Sequence, residues 1–246
     1  MMTELLPGER LDDLQAFGFQ LIQHPETFCF GTDSVLLADF AAPRKWEKAV
    51  DLGTGNGAVA ILMAAHRKEM TIEAVELQPR MADMARRNLL LNGLEDRMQA
   101  HCMDMRTAWQ VLGREQYSLV VCNPPYGGQG CALLSEGEHE RIARHENGLT
   151  PEDIARSAER LLKFGGRFCV VYPAPRAFEM MQAMQACRLA PKRIRTVHAR
   201  AEKAPKLILI EAVKGGGSAL NWLPPLILSE ADGQPSREYR RIYHME

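Results

Sequence analysis

The 246-residue sequence has no long apolar run. Nothing in it approaches the roughly 20 consecutive apolar residues that a membrane-spanning helix requires. The opening MMTELLPGERLDDL lacks both a basic n-region and an apolar h-region, so no secretory leader is expected, a membrane partner is not expected, and the cytoplasm is the expected location. The six cysteines include no Cys-x-x-Cys pair, which removes the spacing of common metal sites, and no metal is expected. Cys122 and Cys169 lie inside apolar runs and read as core. Neither sign of charge prevails, since 30 Lys and Arg face 31 Asp and Glu, so the total gives no signal for a polyanionic partner. There is no internal repeat and no low-complexity segment. What remains, 46% hydrophobic and 25% charged, is the balance of a globular chain with a real core.

Strand-like and helix-like stretches alternate. Lys48–Gly53 reads as a short buried strand running into glycines, followed by a helix through Ala58–His66. Thr71–Glu76 is the next strand. Pro79, at the first position of a helix, opens MADMARRNLLLN, which closes at Asn92-Gly93. Arg97–Cys102 and Tyr117–Cys122 are further strands. Thr150-Pro151 caps a helix ending near Lys163, and Gly165-Gly166 leads into a strand over Arg167–Tyr172. A helix through Phe178–Cys187 precedes strands over Arg193–His198 and Lys206–Val213. The pattern predicts an α/β fold with a doubly wound, mostly parallel sheet in a single domain. Residues 1–45 form an N-terminal extension expected to cover the cofactor site, 46–214 the catalytic domain, and 215–246, beyond the linker-like Gly215-Gly216-Gly217-Ser218, a tail packed on the same domain.

Asp51-Leu52-Gly53-Thr54-Gly55-Asn56-Gly57 sits where the first strand meets the first helix, the place where an open α/β sheet leaves a crevice for a nucleotide-like ligand. Glycines there let the backbone approach a ligand closely. Glu76 ends the following strand, where a carboxylate accepts hydrogen bonds from ribose hydroxyls, with Leu77 beside it. A tight structural turn is the plain alternative, and Gly53, Gly55 and Ala58 also satisfy a dinucleotide fingerprint. Asp51 argues against a pyrophosphate, which it would repel, and for a cofactor with a cationic amino acid end. Asp104, just past the third strand, is placed to accept from an adenine amine with Met103 flanking the ring, or else to cap a helix.

Asn123-Pro124-Pro125-Tyr126 directly follows the apolar run YSLVVC, at the carboxyl end of a strand and on the edge that carries the glycine turn. Two prolines make a rigid turn that presents carbonyls. An aromatic amine is a poor nucleophile because its lone pair is delocalised, and it needs acceptors for its hydrogens. The Asn123 side-chain oxygen and the Pro124 carbonyl supply two, turning the lone pair toward an electrophilic methyl. Tyr126 offers a face on which an extruded base stacks, and Gly127-Gly128 leave room for it.

These motifs resemble the class I S-adenosylmethionine-dependent methyltransferases, and Asn-Pro-Pro-Tyr resembles the members acting on planar nitrogens. Phe30-Gly31-Thr32-Asp33 with the following SVLLADF, the DLGTGNG turn, Val75-Glu76-Leu77-Gln78, VVCNPPY, Arg144-His145-Glu146 and LILIEAVKGG are similar to the small-domain methyltransferases that modify adenine 37 of valine tRNA at N6. The resemblance implies a seven-stranded sheet with its last strand antiparallel, S-adenosylmethionine held at Asp51, Gly53, Glu76 and Asp104, and chemistry at Asn123–Tyr126. Thr32-Asp33 reads as a helix N-cap, and Arg144-His145-Glu146 as either an RNA entrance or a solvated loop.

Between Arg188 and Lys214, eight Lys or Arg residues (Arg188, Lys192, Arg193, Arg195, Arg200, Lys203, Lys206, Lys214) face only Glu202 and Glu211. This segment is the candidate contact for tRNA phosphates. The nearest rival is a glutamine methyltransferase acting on a release factor, since an amide nitrogen poses the same lone-pair problem. A nonenzymatic RNA-binding module explains the basic segment but leaves both turns without a purpose.

Overall fold

The computed structural model describes residues 4–14, 18–25, 27, 30–42, 44, 47–125 and 148–245. Its centre is one sheet built from β3 (Lys48–Leu52), β4 (Thr71–Glu76), β5 (Met98–Cys102), β6 (Tyr117–Cys122), β7 (Leu162–Pro173), β8 (Leu189–His198) and β9 (Leu207–Lys214). The spatial order is β8-β9-β7-β6-β3-β4-β5. All neighbours pair in parallel except β9, which runs antiparallel to both β7 and β8. Two-residue strands β10 (Asn221–Trp222) and β11 (Leu226–Ile227) pair with the outer side of β8. The seven-stranded sheet implied by the resemblance is thus extended at one edge by the tail.

Strands buried on both faces need nearly continuous apolar sequence, and KAVDL and YSLVVC supply it. One face is covered by α1 (Thr32–Ala41), α2 (Ala58–His66) and α3 (Pro79–Leu91), which contribute Leu36, Ile61 and Leu89 to one core layer. The other face is covered by α4 (Trp109–Leu112), α5 (Pro151–Leu161) and α6 (Ala177–Ala186), which contribute Ile154, Met180 and Met184. Helix α5 begins with a capping box in which Thr150 and Asp153 each satisfy the other's backbone N–H, worth about 1 kcal/mol.

Several boundaries differ from the sequence reading. The helix expected to reach Lys163 stops at Leu161, and β7 begins at once with Leu162. Its register shifts between Tyr117 and Leu119 of the neighbouring strand, so Gly165, in the left-handed region at φ 76°, serves an irregularity inside the strand rather than a separate loop. Strand β8 starts four residues before the expected Arg193. The N-terminal extension, where the sequence reading placed no strand, contains an antiparallel pair of β1 (Arg10–Asp13) and β2 (Gln20–Gln23). Buried Asn88 of α3 fastens it: its Oδ1 accepts from Ile22 N at 2.6 Å, and its Nδ2 donates to Ile22 O at 3.1 Å and to Asn56 O at 2.9 Å. At the other end of the chain, the tail closes with α7 (Arg237–Ile242), which packs near α1 and β11.

Candidate active site

Register places four sequence signals on one edge. Leu52 pairs with Val75 and with Cys122, and Glu76 pairs with Cys102. The residues that follow these strand ends, Gly53, Leu77, Met103 and Asn123, therefore lie in a row. Between β3 and β6 the strand order reverses, since β4 and β5 continue to one side and β7 to the other. A crevice opens at such a switch point, and Asp51 and Asn123 flank it.

The glycine turn is held from below, because Gly53 N and Thr54 N both donate to Val75 O, at 2.9 and 3.0 Å. Gly53, Gly55 and Gly57 all adopt positive φ, at 71°, 60° and 92°, a region costly for any residue with a Cβ. Gly57 also caps α2, and the Ala60 N–H of the first turn bonds the Asp51 carboxylate, one of the donors that a helix start leaves without a partner inside the helix. Asn56, buried beside the turn, ties it to the N-terminal hairpin through Asn88.

Asp51 is 1% exposed. Its Oδ2 accepts from Thr54 Oγ1 at 2.6 Å, whereas Oδ1 is buried with no hydrogen-bond partner among the described residues. Burial pushes its carboxyl up to about 7, against the pull of the Thr54 bond and of the Ala60 backbone N–H, with a further push from Glu76. An acidic oxygen kept dry and unmatched fits a cationic ligand group. Glu76 is also buried, its two oxygens accepting from Gly55 N at 2.9 Å and Gln78 N at 2.8 Å. Each oxygen takes one N–H where a carboxylate oxygen accommodates two donors, so the carboxylate is oriented while retaining capacity for hydroxyl donors. These features fit S-adenosylmethionine, with its ammonium toward Asp51 and its ribose toward Glu76.

Asp104 is engaged differently. Its carboxylate accepts from Arg106 N at 2.9 Å and from the Arg106 guanidinium at 2.5–3.1 Å, and that bond holds its pKa below the usual carboxylate range. It caps no helix, since Ala108 occupies the N-cap of α4. Leu77 is exposed and Met103 half-buried at the same edge. Met105, which the sequence reading passed over, reaches within 3.4 Å of where a Cβ on Gly53 would stand, so it walls the turn together with Met103.

Asn123 is buried. Its Nδ2 donates to Ser34 Oγ of α1 at 3.3 Å, and its side chain also meets the Asp33 carboxylate. Asp33 is therefore not the helix cap the sequence suggested. The cap position belongs to Gly31, in extended backbone and with no side-chain cap bond. Asp33 stands one residue inside the helix, accepting from Ser34 N at 2.9 Å. Pro124 is buried and Pro125 exposed. Tyr126, Gly127-Gly128 and Arg144-His145-Glu146 lie outside the described residues.

The basic segment divides. Arg193 is inserted between Glu211 and the Phe40 carbonyl and stacks on the Phe40 ring, Arg195 bonds Pro224 O and Glu238, Lys192 bonds Ala219 O, and buried Lys214 bonds Glu115. These are structural. Arg200, Lys203 and Lys206 are exposed on the β8–β9 connection, which leaves the sheet at the same edge as the crevice. Arg188 is exposed as well, but at the opposite edge. Among the described residues, no helix is long and apolar enough to cross a membrane.

A doubly wound sheet with this glycine turn, an acidic second strand end and Asn-Pro-Pro after the fourth is the build of a class I methyltransferase. The methyltransferase small domain family matches residues 19–194. A tRNA1(Val) (adenine(37)-N6)-methyltransferase of Cronobacter sakazakii is 32% identical over 73% of each chain, and one of a Flavobacteriaceae bacterium is 29% identical over 78% of this chain and 80% of its own. In fold, a predicted O-methyltransferase of Agrobacterium tumefaciens superposes with a TM-score of 0.72 at 23% identity, covering 87% of this chain and 96% of that one. The chain belongs to the methyltransferase small domain family.

Proposed function

We propose that the protein transfers a methyl group from S-adenosylmethionine to the exocyclic N6 amine of an adenine in tRNA, with adenine 37 of valine tRNA as the target. The observation that carries this reading is Asn123, buried at the end of β6, beside the strand whose Asp51 keeps a buried oxygen without a hydrogen-bond partner among the described residues. The names of the relatives support the substrate. Bound S-adenosylmethionine supplies an electrophilic methyl on a sulfonium. The chain's own residues do the rest: Asp51, Gly53, Thr54, Gly55 and Gly57 receive the amino acid end, Glu76 with Leu77 the ribose, and Met103 with Asp104 the adenine. The Asn123 Oδ1 and Pro124 carbonyl accept the two amine hydrogens, which frees the nitrogen lone pair for in-line attack. Tyr126 stacks on the extruded base, with Pro125 keeping the turn rigid. The exposed Arg200, Lys203 and Lys206 hold tRNA phosphates, residues 1–45 close over the donor, and the enzyme works in the cytoplasm, where its substrate is.

The test is transfer of labelled methyl from S-adenosylmethionine to unfractionated tRNA that lacks the modification, with nucleosides identified by mass spectrometry. N6-methyladenosine in valine tRNA is expected. Label in protein glutamine instead, with none in tRNA, would replace this reading by the release-factor one. Asn123→Ala is expected to reduce turnover at least a hundredfold while cofactor affinity stays within a few fold. A parallel loss of both would take Asn123 out of its assigned role.

A further inference from the structure

The first turn of α1 approaches the catalytic turn from the side opposite the glycines. Ser34 Oγ lies 3.3 Å from Asn123 Nδ2, and the preceding residue, Asp33, is in side-chain hydrogen-bond contact with the same asparagine. Asp33 is held in turn, because Ser34 N donates to its Oδ1 at 2.9 Å. Gly31 leaves the space beside that oxygen open, since a Cβ there would stand only 3.0 Å from it. On the far side Tyr243, from the tail, faces Asp33, and its hydroxyl meets Thr32.

An asparagine carboxamide has a donor end and an acceptor end of nearly equal size, so its shape alone does not fix which end faces a substrate. An ionised carboxylate only accepts. We propose that Asp33 is a positioning residue that sets the orientation of the Asn123 carboxamide: it takes the Nδ2 end and so turns Oδ1 toward the amine to be methylated. The inference rests on the reading of Asn123 as the acceptor for that amine. Ser34 Oγ, which accepts from the same Nδ2, adds a second and weaker hold. A flipped carboxamide would set Oδ1 against a carboxylate and present a donor to an amine that already carries two hydrogens. That pairing repels at both ends. The carboxyl is pushed above the usual carboxylate range by burial, with the Asn123 bond pulling the other way, as expected for a charge kept in a confined place for its contacts.

Asp33→Asn provides the decisive variant because its effect under this proposal is the reverse of a packing effect. The Ser34 N–H is shared between Asp33 Oδ1 and the Gly31 carbonyl, at 2.9 and 3.1 Å, and an amide NH2 turned toward that donor would repel it, so the new side chain keeps its oxygen there and turns its NH2 toward Asn123, which captures Oδ1 and favours the unproductive orientation. The expected result is a fall in kcat of at least tenfold, with KM for S-adenosylmethionine and its Kd by calorimetry within threefold of the parent. Asp33→Ala, which removes the hold without reversing it, is expected to be no more impaired than Asp33→Asn. Ser34→Ala is expected to lose two- to fivefold in kcat with the same unchanged Kd, and it carries the test if Asp33→Asn does not fold. A kcat within threefold of the parent for Asp33→Asn, an alanine variant clearly slower than the isosteric one, a cofactor Kd that weakens in step with the rate, or an unaltered Ser34→Ala would each overturn the proposal. Asn123→Ala run beside them separates the two readings. If that variant is inactive while Asp33→Asn is not, only the role of Asp33 falls; if Asn123→Ala keeps its rate, the acceptor reading falls first.

Discussion

Two groups of buried carboxylates belong to the same sheet. In the first, Glu47, just before β3, and Glu211 of β9 are buried against cations: Arg167 reaches Glu47 at 3.0 Å and Glu211 at 3.0 Å, and Arg193 also reaches Glu211 at 3.0 Å. Arg167 further donates to Ala41 O at 2.8 Å, tying α1 to β7. In the second, Asp51 and Glu76 are as deeply buried, yet backbone N–H groups and one threonine hydroxyl are what the structure gives them. A buried charge with a cation beside it belongs to the scaffold. One left with an orphan oxygen costs stability in the free protein, and under the proposed function it is the cationic end of the ligand that supplies the missing charge.

The comparison breaks most visibly at Arg167. Arg167→Met keeps the bulk but strands buried Glu47 and leaves Glu211 with Arg193 alone, and removal of one partner from such a group costs about 3–5 kcal/mol. Urea denaturation is expected to show that loss, with cofactor binding by the surviving folded protein unchanged. A loss below 1 kcal/mol would mean that the network contributes nothing a hydrophobic side chain cannot.

Asp51 is expected to behave in the opposite sense. Burial holds its carboxyl at about 7 in the folded protein, against the ordinary aspartate value of about 3.9. Between those values the folded state binds more protons than the unfolded one, so stability falls as pH rises through this window, by up to about 4 kcal/mol for this group. Asp51→Asn is expected to remove that slope, to leave the free protein at pH 8 at least as stable as the parent, and to weaken S-adenosylmethionine binding about 10–100-fold. Denaturation at pH 5 and pH 8 together with calorimetry would show it. A variant less stable than the parent at pH 8 would move Asp51 into the scaffold class.

A smaller effect is expected where the basic segment reaches the site edge. Replacing Arg200, Lys203 and Lys206 by Ala should raise KM for tRNA roughly tenfold at moderate salt and reduce the slope of log affinity against log salt by about 3, with cofactor Kd unchanged. An unchanged salt slope would place the phosphate contacts elsewhere.

The sheet and the crevice were legible because they are written locally. Apolar runs such as YSLVVC end in turns, and parallel register carries every such end to one edge. What escaped was decided by contacts distant in sequence. The hairpin over residues 10–23 has no strong period of its own and depends on Asn88, a polar residue on the buried face of α3 whose need for a partner was the available signal. Thr32-Asp33 satisfies the local grammar of a helix cap, and only the approach of β6 to α1 reveals that Asp33 bonds Asn123. The basic segment was read by composition. Composition does not distinguish Arg193, wedged against Glu211 and Phe40, from Lys203, exposed on a loop.

The finest test of the comparison is at Thr54, whose hydroxyl donates to Asp51 Oδ2 at 2.6 Å. That bond favours the ionised form and works against burial, so Thr54→Val removes one of the forces holding the carboxyl down near 7 and leaves the shape of the turn nearly intact. Hydrogen bonds to charged groups are worth roughly 1.5–3 kcal/mol. Most of that appears as a further rise of the Asp51 pKa, and only part of it as weaker binding, because a cationic ligand draws the proton off again. At pH 7 the variant is expected to bind S-adenosylmethionine about three- to tenfold less tightly than the parent, since more of its Asp51 is protonated before the ligand arrives. At pH 8.5 the gap should narrow, because the parent carboxyl is then ionised and a far larger share of the variant's is ionised than at pH 7. Calorimetry at the two pH values decides the matter: a deficit of the same size at both would mean that Thr54 touches the ligand directly rather than acting through the charge of Asp51.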